Sequence, residues 1–232
     1  MSLLTTIQRA ADWIGVPRPS TVVSSTDQQV RQLYAFANEE GDELARGFAW
    51  QILLTQDTFT TVASPTQSAA IPADWLSFVP DSMWNRSLTR PVFGPISPQD
   101  WQIIQANGPL GTIDSYFRVR GGNFLITPTP AAGNTIAYEY VSLNWCADNG
   151  GTPKSSYTAD NDVARLSERL ISMGIRWRFK AAKGLDYAED MATYEREKAI
   201  QQAKDKGLQT VSLSRPAYEL PGPYIPEGNF PA

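Results

Sequence analysis

The sequence contains no histidine and a single cysteine, Cys146. Without imidazole there is no Ser-His-Asp or Cys-His nucleophilic site, and no metal site built on histidine nitrogens. One thiol excludes an internal disulfide and any multi-cysteine zinc site. Lying between Trp145 and Ala147 at the end of an apolar strand, it reads as buried and inert, and such sparing cysteine use fits synthesis in a reducing cytoplasm. Charge is also scarce: 19% of the 232 residues are charged, and the net charge is −4. That balance speaks against a dedicated DNA binder, which is normally basic. It suits a wall past which DNA slides, because an acidic surface does not hold phosphates. No run approaches the ~20 apolar residues of a membrane span. Residues 1–15 lack the basic start and continuous apolar stretch of a signal peptide. A Gly-rich phosphate loop ending in Lys-Ser or Lys-Thr is missing, and Gly121-Gly122 reads as a turn between two strands. No cofactor and no enzymatic activity are expected.

Aromatic residues are plentiful: seven Trp, nine Tyr and nine Phe. They exceed what a core of this size needs, so some are expected at interfaces, where aromatic groups are enriched.

The stretch that organises the rest is 162–207, read as two helices broken at Gly184. Val163, Leu166, Leu170, Met173 and Trp177 fall on one face by three-and-four spacing, and Tyr187, Met191 and Tyr194 do so on the second helix. Gly184 suits a left-handed stop, and Asp186 with Glu189 reads as a capping box. So short a break favours an antiparallel hairpin. From Val163 to Gly207 there are ten Lys or Arg against seven Asp or Glu, a balance of plus three; the remainder of the chain therefore carries about minus seven. One reading is two solvated helix faces. The sharper one is a cationic face, Arg176, Arg178, Lys180, Lys183, Arg196 and Lys198, that meets an acidic partner or DNA.

Upstream, Ser2 can cap a helix whose stripe is Leu3, Leu4, Ile7, Ala10, Ala11 and Ile14. Overlapping capping boxes at Ser25 and Thr26 open a second helix carrying Val30, Leu33, Tyr34, Ala37 and Leu44. Its acidic run Glu39-Glu40-Gly41-Asp42-Glu43 is expected on the solvated side, not as a metal site. Asp160-Asn161-Asp162 starts like a calcium loop, but Ala164 and Arg165 occupy positions that need a ligand and a glycine; acids at a helix N-terminus explain it better.

Residues 55–145 read as strands: 55–63, 71–79, 83–86, 91–93, a hairpin across Gly121-Gly122, and 135–145. A short helix begins at Ser97-Pro98. Residues 148–159 read as a polar linker. The expected architecture is α+β. A helical bundle of four main helices (1–54 and 152–207) carries a small antiparallel β region inserted at 55–151. An extended proline-aromatic arm spans 208–232. A carboxylate pair, Asp74 with Asp81 or Asp100, could serve a glycosidase, but Asp74 and Asp100 already have turn or cap roles.

Ile71-Pro72-Ala73-Asp74-Trp75, Met83-Trp84-Asn85, Gly94-Pro95-Ile96-Ser97-Pro98-Gln99-Asp100-Trp101 and the strand from Ile136 to Trp145 follow one another in that order. With the helices on either side, this succession resembles the head-to-tail connector (adaptor) proteins of tailed phages, over roughly residues 26–207. The resemblance implies a non-enzymatic virion protein of the neck between capsid and tail. Such proteins form a ring, usually of about twelve copies, beneath the portal protein. The ring would extend the DNA channel, let double-stranded DNA pass without specific binding, and present a platform for tail, nozzle or fibre proteins. It also implies an arm that docks on the portal, here Arg215, Pro216 and Tyr218 with Pro221, Pro223, Tyr224, Pro226 and Phe230. The alternative is a carbohydrate-binding or tail-fibre-type module, which requires Trp75, Trp84 or Trp101 exposed in a groove.

Overall fold

The computed structural model describes residues 2–68, 70–107 and 115–205. The arm residues Arg215, Pro216, Tyr218, Pro221, Pro223, Tyr224, Pro226 and Phe230 lie outside them.

Helix α1 (Leu3–Ile14) starts where expected: the Ser2 hydroxyl accepts from the Thr5 amide, and Gly15 closes it in the left-handed region at φ 79°. Helix α2 (Gln28–Gly47) is capped one residue later than the sequence suggests. The cap is Asp27, whose carboxylate accepts from the Gln29 and Val30 amides. After a 3₁₀ turn (Gln51–Leu53) come strands β1 (Leu54–Thr60), β2 (Thr66–Gln67), β3 (Trp75–Phe78), β4 (Trp84–Asn85) and β5 (Arg90–Phe93). Helix α3 (Pro98–Asn107) precedes β6 (Ser115–Arg120), β7 (Asn123–Thr127), β8 (Thr135–Ser142), β9 (Cys146–Ala147), β10 (Pro153–Lys154) and β11 (Val163–Ala164). Helices α4 (Glu168–Ala182) and α5 (Ala188–Asp205) follow.

Strand β8 is the spine of the main sheet. Strand β1 lies along its whole length, Leu54 opposite Val141 through Thr60 opposite Thr135. Both β3 and β4 share its other edge at different heights, and β5, β6, β7 and β2 continue outward. All pairings are antiparallel except β5 with β6. Strands β10, β9 and β11 make a separate three-stranded sheet.

The expected four-helix bundle with a small antiparallel insertion is therefore overturned. Among the described residues there are five α-helices, an eight-stranded mixed sheet and a second sheet. The second sheet is built from what read as linker and as the first turn of a helix: Val163-Ala164 pairs with Cys146-Ala147, so α4 starts only at Glu168. The reason is physical. Two-residue strands carry no alternation to detect, and their pairing partners are remote in sequence. The helices are also no simple bundle. Helix α4 packs against α1, α2 and α5, while α1 and α2 touch only weakly.

Two apolar cores result. One joins α1, α2 and α4 to Trp50, Leu53, Val141, Trp145, Cys146 and Tyr157. The other lies on the main sheet, where Phe59, Trp75, Phe78, Phe117, Phe124, Tyr138 and Tyr140 form a continuous set of ring contacts. Much of the aromatic surplus expected at interfaces is thus spent on this small core, where each ring buries a large area.

Candidate assembly surface

Helix α4 positions the charged groups by its 3.6-residue period. Gly174 and Arg178 fall on one side; Arg169, Met173, Arg176 and Lys180 fall on the opposite side. The first side meets α2. A Cβ at Gly174 would overlap the Glu40 carboxyl group, so only glycine lets the two helices approach so closely. Glu40 is fully buried. It accepts from Arg178 Nε at 2.9 Å and from the Tyr194 hydroxyl of α5, tying three helices at one carboxylate. Burial pushes its pKa above the ordinary carboxylate range, against the opposing pull of Tyr194 and Arg178. The expectation that the whole acidic run is solvated fails here. Glu39 and Glu43 are exposed, but Glu40 and Gly41 are interior, because their partners stand over a hundred residues away.

The six residues proposed as a cationic face are disposed unequally. Arg178 serves Glu40, Glu43 and, at 3.7 Å, Glu39. Arg176 and Lys180 converge on Asp190 of α5, Lys180 at 2.6 Å. Lys198 pairs with Glu195 at 2.7 Å and lies over the Tyr194 ring. Lys183 lies over the Phe179 ring, and it and Arg196 are exposed. The helix pair thus spends much of its positive charge on carboxylates of α2 and α5.

Elsewhere, polar groups brace the scaffold. Asp162 is buried and accepts from the Thr158 and Ala159 amides and from Lys154 Nζ at 2.9 Å. Burial alone would raise its pKa, but these donors outweigh it and hold the carboxyl below its ordinary range. It therefore locks the second sheet and is not an acid at a helix N-terminus. Asp74 accepts from Tyr140 at 2.9 Å and Ser142 at 2.6 Å; Asp100 accepts from Ser97 at 2.7 Å in a helix cap. Both are structural. Arg165 ties the end of the β8 segment to the 3₁₀ turn, donating to the carbonyls of Asn144 and Ile52.

Among the described residues no group of three or more His, Cys, Asp or Glu is arranged to hold a metal ion, and no helix is long and apolar enough to cross a membrane. Trp101 is buried, while Trp75, which stacks on Tyr140 within the sheet core, and Trp84 are half-buried. Exposed apolar groups include Trp13 at 66% exposure on α1, Phe93 on β5, Tyr187 and Leu185 before α5, and Met191 and Ile200 on α5.

A family model described as SU10 adaptor protein matches residues 1–223. The chain belongs to the SU10 adaptor protein family. It is therefore a phage structural adaptor, as the succession of motifs from Ile71 to Trp145 suggested. Membership in this family makes the chain a virion structural component that works with other phage structural proteins, and a non-enzymatic role is consistent with it. No curated protein matches the chain.

Of the residues that matter in this arrangement, sequence reasoning missed Glu40, Gly174 and Asp162. A glycine in mid-helix, costly in helix propensity, was the available signal for Gly41 and Gly174.

Proposed function

We propose that this SU10-family adaptor assembles as a ring in the phage neck, between the portal protein and the tail, where it extends the DNA channel and carries the tail proteins. The supporting observation is the helix α5: Tyr194 is its one buried side chain, while Met191 and Ile200 stay exposed on opposite sides of it. An 18-residue helix that packs through so few buried side chains leaves apolar groups on more than one side for a neighbour to cover. Residues 208–232, with Arg215, Pro216 and Tyr218 at the head of the strip, are proposed as the arm that docks on the portal. Lys183 and Arg196 are the exposed cations proposed to face the portal or the channel. The overall acidic balance keeps duplex DNA from being held in the bore.

Co-assembly of the full chain with the portal, compared with a chain ending at residue 207, tests this reading. Full-length chain is expected to bind as a ring and the truncated chain to lose binding. Unchanged binding by the truncated chain overturns the docking role of the arm. Absence of any ring or portal complex with the full chain overturns the function.

A further inference from the structure

Between α1, α4 and α5 lies a groove of about 170 Å³ whose lining includes Arg9, Trp13, Arg169, Met173 and Arg176. Trp13 is the most exposed large apolar side chain among the described residues, and the Arg176 guanidinium sits 5.2 Å from its ring centroid. Arg9 is exposed one helical turn before Trp13 and has no ion pair among the described residues. Arg176 Nε is buried and has no acceptor among them. Tryptophan and arginine side by side are the groups most enriched at the energetic centres of protein contacts.

The opposite flank of α4 has the complementary character. There Glu39, Glu40 and Glu43 share the single guanidinium of Arg178, and Glu39 and Glu43 are 64% and 57% exposed. Arg169, paired with Glu197, and Arg176, paired with Asp190, stand with Met173 about half a turn from Arg178 on the same helix, so the groove, whose uncompensated cation is Arg9, and the acidic face point to opposite sides of one protomer. Two different patches that complement each other, placed on opposite flanks, generate a head-to-tail contact, and such a contact closes into a ring when its rotation permits.

We propose that the occupant of the Arg9–Trp13 groove is a second copy of this chain, contributing the Glu39–Glu43 face of its α2. The inference rests on the ring reading above and names the surface through which neighbours meet. Trp13 seats against the neighbouring helix, and Arg9 supplies the positive charge the acidic face lacks.

The test uses phage particles carrying the full-length double variant Arg9→Cys/Glu39→Cys, treated with a bis-maleimide and run on a denaturing gel; the native Cys146 is buried. Each copy then carries one reactive thiol per flank. A ladder of multiples is expected, with none from either single-cysteine variant. Dimers alone would indicate a two-fold contact and overturn the proposal. No product above monomer, while a lysine-reactive reagent still links copies, overturns this interface and leaves the ring intact. No linkage by either reagent fails the ring reading together with it. In the same particles Trp13→Ala is expected to lower incorporation roughly tenfold or more. Arg9→Glu is expected to do likewise, with recovery on adding Glu39→Arg; no recovery overturns the pairing.

Discussion

Glu40 on α2 and Arg178 on α4 form an ion pair at 2.9 Å in which the carboxylate is wholly enclosed and the guanidinium is 12% exposed. Such a pair is costly to assemble and costlier to break, since removing one partner leaves an uncompensated charge indoors. Arg178→Met is expected to destabilise the chain by ~3–5 kcal/mol at neutral pH, measured by urea denaturation. Arg178→Lys should rescue only in part, because one ammonium cannot serve three carboxylates from the positions the guanidinium fork reaches.

The same carboxylate predicts a pH dependence. Its folded pKa lies above the ordinary 4.5 because burial disfavours the charged form. The folded state therefore holds this proton more tightly than the unfolded chain. The resulting stabilisation is complete below the unfolded value and is lost as pH rises through the raised folded value. Glu40→Gln should abolish that decline, so wild-type and variant denaturation midpoints converge or cross on acidification and separate toward neutral pH. Parallel curves would show that Glu40 does not titrate in this way.

Gly41 and Trp145 argue similarly for steric fit. A Cβ at position 41 would fall inside the Trp145 ring, which is fully buried where the end of the β8 segment enters the helical core. Alanine favours a helix interior by ~1 kcal/mol over glycine, yet overpacking of a rigid ring costs ~1–3 kcal/mol or more. Gly41→Ala is expected to lower the melting temperature in calorimetry. Trp145→Leu, destabilising alone through its cavity, should make the added methyl nearly harmless. Additive effects of the two changes would contradict the contact.

These two pairs show what the sequence could and could not reveal. Local signals were legible: the Ser2 cap, the left-handed Gly184, the Gly121-Gly122 hairpin and the long strand β8 all follow from neighbours a few residues apart. The family was legible as well, from short motifs in order. What escaped was set by partners distant in the chain. Glu40 looked like one more solvated acid because Arg178 lies 138 residues away. Val163 looked like the first residue of an apolar helix stripe because its strand partner, Ala147, gives no local sign of pairing. Arg176 and Arg178 looked like a common cationic face, although their positions on α4 send them to opposite sides.

Asp162 should govern the acid limb of stability. Its folded pKa is depressed by the Thr158 and Ala159 amides and by Lys154 despite its burial. Its contribution is present above the unfolded value and is lost as pH falls through the folded one. Asp162→Asn is expected to cost ~2 kcal/mol or more at neutral pH, the scale of losing hydrogen bonds to a buried charge. It should also flatten the loss of stability toward low pH. Thermal melts of both chains across the acid range check it; equal acid slopes would remove Asp162 from this role.

Cys146 turns the second sheet into something measurable. Its thiol is fully buried, donates to the Lys154 carbonyl at 3.2 Å, and has its pKa pushed up to about 12, first by burial and then by the charge of Asp162. At mildly alkaline pH only roughly one thiol in ten thousand would be ionised, and the thiolate is the reactive species. Native chain is therefore expected to resist an aromatic disulfide reagent, and denatured chain to release one equivalent of chromophore. Because Cys146 pairs with both β10 and β11, labelling under native conditions requires these strands to part. Asp162→Asn, which frees Lys154 and the 158–159 turn, should speed labelling well beyond its effect on global stability, as expected of a local opening. Rapid labelling of the unaltered chain would mean that this sheet does not hold the thiol shut.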